Sequence, residues 1–280
     1  MQLTPRYEGE PLIRMRSVID DPAVPVLRQR RRLADLLAGL DDGQWATASR
    51  CEGWTVQDVV AHLITTNQFW TLSINAGLAG APTRVLVRFD PVATPAQLVA
   101  TVRSRTPAET LDLFCSSNDE LAAVLVALDT EAWSRLAEAP PGHLSIDLVA
   151  LHALWDGWIH ERDIALPLGL TTDEEADEIA ASLAYVAALG PAFTASQGST
   201  RAGVLEVRAV DPDVRVVVEL GPSVLLHDGP APPGAVTLSG DAVHLLEALS
   251  MRAPLQADID DADRWLLGGL DEVFDQSPRG

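Results

Sequence analysis

Apolar positions recur at helical spacing through most of the first 170 residues, then give way to short β-type runs. "VPVLRQRRRLADLLAGL" (24–40) sets Leu27, Leu33, Leu36 and Leu37 near one side of a helix. "TVQDVVAHLITTNQFWTLSINAG" (55–77) predicts a longer one, opened by Thr55 and Asp58 in capping-box spacing and ended by Gly77 and Gly80. A proline-containing stretch (81–105) reads as a long loop or crossover. "PAETLDLFCSSNDELAAVLVAL" (107–128) follows, with Pro107 suited to a first turn. "LSIDLVALHALWDGWIHERDIAL" (144–166) is the fourth long helix, stopped by Pro167 and Gly169. Four long helices with one long connection predict a bundle.

The second part differs. A helix over 171–193 is acidic in its first turn, as the helix dipole favours. Four strand-like runs follow, at 204–210, 214–220, 223–229 and 235–240, with turns rich in Asp, Pro and Gly. "DAVHLLEALSM" (241–251) returns to helical spacing, and "DDADRWLLGGLDEVFD" (260–275) closes the chain's last unit. The expectation is an α+β protein in two domains, 1–170 and 171–280.

Composition narrows the function classes. The chain has 280 residues, is 47% hydrophobic and carries a net charge of −20. Such acidity argues against a nucleic-acid partner, which needs concentrated Lys and Arg, and against an anionic membrane surface. Cys51 and Cys115 form no C-x-x-C pair, so neither a disulfide framework nor a cysteine-rich zinc site is expected. No apolar signal core and no run near ~20 apolar residues stand out, which fits a cytoplasmic protein, monomer or homodimer. The chain lacks a G-x-S-x-G elbow, a P-loop and a G-x-G-x-x-G turn.

The fourth helix carries an unusual stripe. His152, Asp156 and His160 stand four apart and share one face. A carboxylate on an inward face is costly unless it is paired or metal-bound. A D-x-x-x-H pair alone is consistent with a surface ion pair or a capped core histidine. With His62 brought across the bundle, it would also supply two imidazoles and a carboxylate, leaving a position open for water or substrate. His143 reads as a solvated turn residue, His227 as a strand end and His244 as a helix-surface residue.

A resemblance sharpens this. "ASRCEGWTVQDVVAHL" (48–63) is similar to the pattern R-C-P-G-W-T-V-x-D-[LV]-V-A-H-L of the mycothiol-dependent maleylpyruvate isomerase family, with Glu52 where Pro is usual. "DGWIHERDI" resembles the family's E-x-x-x-H helix, with Asp156 in place of Glu. "GDAVHLLEALSMRAPL" (240–255) resembles its C-terminal stretch. The resemblance implies a DinB-like metal-binding helical bundle followed by a small sterol-carrier-like α+β domain. It implies His62, Asp156 and His160 as ligands of a divalent metal, Zn²⁺ or alternatively Fe²⁺. It also implies mycothiol or a similar small thiol as co-substrate, and Arg252 as the residue that binds an anionic substrate. His152 is then either a packed core histidine or a neighbour of the metal. Asp163 would orient the ligand helix, and Asn67 and Gln68 either line the cleft or face solvent. Three function classes stay open: a thiol-dependent isomerase or S-transferase on a small electrophile, a metal-dependent hydrolase without thiol, and a non-catalytic small-ligand binder.

Overall fold

The computed structural model describes residues 4–16, 21–257 and 259–270. Helices α1 (Ala23–Ala38), α3 (Val56–Leu78), α5 (Pro107–Val126) and α6 (Ile146–Ala165) form the bundle, with the single turn α2 (Asp42–Trp45) between the first two. The Thr55–Asp58 capping box is present: the Thr55 hydroxyl accepts from Asp58 N while the Asp58 carboxylate accepts from Thr55 N. Thr106 and Glu109 cap α5 in the same way. These boxes satisfy helix-start N–H groups that would otherwise lack partners.

The stretch 81–105 is not the loop its prolines suggest. It holds a 3₁₀ turn (Val85–Arg88) and the helix α4 (Ala93–Val102). Pro95 lies in the first turn of α4, where a missing N–H costs nothing. Asp90 Oδ1 accepts from Val92 N and Ala93 N at 2.9 and 2.7 Å and fixes the start. Val99 and Val102 then bury against the bundle.

Two further elements were absent from the pattern. The hairpin β2 (Leu136–Ala139) and β3 (Gly142–Ser145) flanks α6, and Ile13–Arg16 forms β1. His143, expected in solvent, lies on β3 opposite Glu138 and is buried, donating from Nε2 to Thr83 O at 2.8 Å. Glu138 is buried too. Its carboxylate accepts from Tyr7 OH, Thr83 Oγ1, Val85 N and Leu86 N at 2.5–2.9 Å, pinning the 83–86 segment to the bundle.

The second part is a five-stranded sheet in the order β1-β6-β5-β4-β7, built from β4 (Gly203–Val210), β5 (Val214–Leu220), β6 (Val224–His227) and β7 (Val236–Asp241). β1 runs parallel to β6 and β4 parallel to β7; the other pairs are antiparallel. Thus a strand from the N-terminus sits in a sheet otherwise made near the C-terminus. Helix α7 (Ala176–Ser196) packs between the bundle and the sheet, and α8 (Ala242–Leu249) packs on α7. α7 is apolar and long enough to cross a membrane by length and composition, a feature that the sequence reading passed over. Most of it is buried in the protein: Leu183, Tyr185, Leu189 and Phe193 are fully covered and join one core with α6 and the strands. The helix runs through Pro191, and the turn at Gly269 lies against the Gly190 carbonyl. A Cβ on Gly269 would meet that oxygen at 2.1 Å. Of the 260–275 stretch, the described part is a 3₁₀ turn at Arg264–Leu266 with Leu266 and Leu270 buried; residues 271–280 lie outside the described residues.

Candidate metal centre

His62 comes from the middle of α3, and Asp156 and His160 come from successive turns of α6. One ligand atom from each lies within 4.8 Å of the other two. Asp156 Oδ1 stands 3.5 Å from His62 Nε2 and 3.5 Å from His160 Nε2. The two imidazoles meet edge to face, with ring centroids 4.8 Å apart. An ion with bonds of roughly 2.0–2.2 Å in tetrahedral geometry sets its ligand atoms roughly 3.3–3.6 Å apart. The observed spacing of the carboxylate oxygen from each nitrogen fits that arrangement. Nitrogen and oxygen donors of this kind suit zinc and iron alike.

The electrostatics ask for a cation at the same point. Burial alone would push the Asp156 carboxyl up. The charge that His62 and His160 can carry reverses this and holds it well below the usual carboxylate range. Burial would likewise push His160 down, and the Cys51 sulfur, Asp156 and Asp163 hold it well above its usual value. A carboxylate between two imidazoles is stabilised by a shared positive charge, which either a proton or a metal ion can supply.

The supporting groups are ordered. His160 Nδ1 donates to Asp163 Oδ2 at 3.0 Å, which turns Nε2 toward Asp156. Asp163 is fully buried and is gripped by Arg252, whose Nε and Nη2 reach its oxygens at 2.9–3.1 Å. Arg252 therefore lies at the site, as the resemblance implied, with most of its donor fork engaged by Asp163. Its Nη1 makes a long 3.4 Å contact to Ser250 O. The turn after Ser49 completes this arrangement. Gly53 adopts φ +75°, a conformation that glycine takes without strain. The turn lays Cys51 Sγ 3.2 Å from Asp163 Oδ2 and sets the Trp54 ring 5.5 Å from that of His62. Arg50 N donates to Asp163 O at 3.1 Å, and the Arg50 and Arg162 side chains both bind Glu247 Oε1 at 2.8 Å.

The cluster opens on a cavity of about 970 Å³. Trp54, Phe69, Trp70 and Trp155 wall it from the bundle; Leu86 and Phe89 come from the segment pinned by Glu138, and Ser250–Arg252 from the second part. Trp155 Nε1 donates to Ser250 Oγ at 2.8 Å and joins the two sides. His152 lines the cavity one turn from Asp156 but is not among the clustered donors. Asn67, given as cleft or surface, is neither. It is buried in the bundle, accepting from Arg30 Nε at 3.2 Å and donating to Asn118 Oδ1 at 2.7 Å. Gln68 is exposed and away from the cavity. Sequence reasoning assigned no role to Cys51 or Glu247. Cys51 was visible only as one position of the 48–63 signature, and Glu247 carried no signal.

Comparison with known proteins agrees with this architecture. Residues 26–165 match the mycothiol maleylpyruvate isomerase N-terminal domain. The crystal structure of the mycothiol-dependent maleylpyruvate isomerase superposes with a TM-score of 0.57 at 18% identity, covering 83% of this chain and 88% of that one. The structure of a mutant of that enzyme gives the same values. YfiT from Bacillus subtilis, which has an unusual four-helix bundle topology, aligns at 18% identity with a TM-score of 0.42, covering 59% of this chain and 95% of that one. No curated protein matches in sequence. The structural likeness speaks for the fold, and the matched half of the sequence for the lineage: the chain belongs to the mycothiol maleylpyruvate isomerase family.

Proposed function

We propose that the protein is a metal-dependent enzyme that uses a small thiol, mycothiol or a close relative, to isomerise or S-alkylate a small carboxylate-bearing electrophile. One observation carries this reading. Two imidazoles and a carboxylate converge, with their outer partners in place, on the wall of a large apolar cavity. Family membership supplies the thiol, because the chain's relatives are mycothiol-dependent.

His62, Asp156 and His160 would hold the metal, which when bound lowers the pKa of a thiol or polarises a carbonyl. Asp163 keeps His160 in the tautomer that presents Nε2, and Arg252 keeps Asp163 in place. The Arg252 guanidinium also puts positive charge on the cavity wall, where a substrate carboxylate is drawn to it. Trp54, Phe69 and Trp155 keep water from the reacting groups. The thiolate adds to one carbon of an activated cis double bond. Rotation about the resulting single bond and loss of the same thiol give the trans isomer with no net change of atoms. If a proton instead captures the adduct, the sulfur stays on the product and the reaction is S-transfer.

The test is zinc-loaded protein, purified without a metal-affinity column, assayed on maleylpyruvate with and without mycothiol. Turnover that needs both metal and thiol, and that His62→Ala abolishes, supports the reading. Metal-dependent turnover of an ester or amide without thiol would replace it with a hydrolase.

A further inference from the structure

His152 projects from α6 into the cavity one turn before Asp156 and is 95% buried, with 5% relative exposure. Its Nδ1 lies 2.8 Å from the Tyr185 hydroxyl, on α7. Tyr185 is fully buried, and among the described residues that nitrogen is its hydroxyl's one hydrogen-bond partner. A buried hydroxyl that fails to donate its proton is penalised, so Tyr185 O–H donates to Nδ1. The imidazole hydrogen then sits on Nε2. Among the described residues nothing accepts from that atom. Trp70 and Trp155 flank the ring with centroids at 5.0 and 5.3 Å, so the donor is held among apolar walls. Burial pushes His152 down to about 4, which keeps the ring neutral near pH 7.

We infer that the His152 Nε2–H is a substrate-binding donor, which takes a carbonyl or carboxylate oxygen of the substrate one helical turn from the group held at the metal. This inference rests on the metal-centre reading above and deepens it. Residues four apart on a helix stand about 5–6 Å apart. The cavity therefore selects a compound with an oxygen acceptor at about that distance from its reacting end, lying against Trp70 and Trp155. Tyr185 is a positioning residue, acting through the His152 tautomer.

The experiment uses full-length, zinc-loaded protein labelled with ¹⁵N-histidine, with maleate as the probe and no thiol present. Long-range proton–nitrogen spectra are expected to report His152 as the Nε2–H tautomer, with that signal moving when maleate binds. Calorimetry is expected to find maleate weakened on the order of tenfold to a hundredfold by His152→Leu and largely restored by His152→Gln, which keeps an N–H donor. Tyr185→Phe is expected to mix the tautomers without releasing zinc. An Nδ1–H tautomer in the wild type, no binding of maleate by the zinc-loaded wild type, or undiminished binding by His152→Leu would each overturn the assignment. Zinc content measured on the same samples separates the two readings, because a wild type that takes up no zinc defeats the metal centre, while a zinc-loaded His152→Leu protein that still binds maleate defeats only this inference.

Discussion

On one side of α6, Glu161 accepts from both Nε and Nη2 of Arg32 at 2.7 and 2.8 Å and from Gln29 Nε2 at 3.0 Å. Arg32 continues to Glu178 of α7, and the neighbouring Arg30 bonds Asn67 and Ala153 O. On the other side of the same helix, Asp156 has imidazoles at 3.5 Å and the Thr66 hydroxyl at 3.5 Å, all at the limit of hydrogen bonding. Both carboxylates are largely covered. The first is saturated by its own chain and faces no cavity. The second is left short of partners and faces the cavity. Burial and charge therefore do not by themselves separate a structural acid from a functional one. What separates them is whether the chain finishes the acid's bonds, because an unfinished buried polar group needs an explanation. A metal ion supplies one for Asp156, and nothing is missing at Glu161.

The most complete way to break this contrast is to remove a donor on the open side. His62→Ala is expected to take bound zinc from about one ion per chain to almost none, since two donors rarely retain the ion. Denaturant midpoints of the two metal-free proteins should stay close, because no internal network is cut. Elemental analysis beside urea unfolding checks both statements. A zinc-replete His62→Ala protein would end the three-donor reading.

Glu161→Ala probes the closed side and should invert the pattern. It strands the half-buried Arg32, and Gln29 in the interior, and breaking such a buried pair costs about 3–5 kcal/mol. Zinc per folded chain should not change. Gly157 adds a steric version of the same test. A Cβ there would fall 1.6 Å from Arg30 Nη1, so Gly157→Ala must displace that guanidinium. Overpacking of this kind costs about 1–3 kcal/mol. If either variant loses its metal in step with its stability, the two faces are one unit and the contrast fails.

Asp163→Asn lies between the two faces. The amide keeps the shape but loses the charge that fixes His160 Nδ1 and binds Arg252. Loss of such an outer partner typically weakens metal binding by about 10–100-fold. Competition with a chromophoric chelator measures this, and an unchanged affinity would make Asp163 a purely structural ion pair.

Much of this contrast was readable before the structure. Helical spacing placed Asp156 and His160 on one face, and the dense 48–63 signature brought His62 to them. Helix boundaries followed from local chemistry such as Thr55 and Asp58, which needs only three residues to act. What stayed hidden is non-local. β1 is four residues long and is recognisable only by its partner, Val224–His227, more than 200 residues away. His143 looked solvated because its cover comes from Tyr7 and Thr83. α4 was lost among prolines whose position in the first turn makes them harmless. Arg252 was placed at the site, but its grip on Asp163 could not be read from spacing, since the two lie 89 positions apart.

The smallest expected effect concerns the bond between Trp155 Nε1 and Ser250 Oγ, a finished polar pair on the unfinished face. Trp155 belongs to the bundle and Ser250 follows α8, so the bond ties the two walls of the cavity together. Both residues are buried, and each single change leaves the other group without a partner. Trp155→Phe and Ser250→Ala therefore each lose more than the bond itself. The double mutant removes both orphaned groups, and the cycle isolates a coupling of about 1 kcal/mol in unfolding free energy. Zinc affinity should be level across all four proteins, since neither residue is a donor. If the coupling is absent, the cavity wall is held by apolar packing alone. If it is present and zinc affinity falls with it, closure of the cavity helps to hold the metal, and the open face depends on its finished bonds as the closed face does.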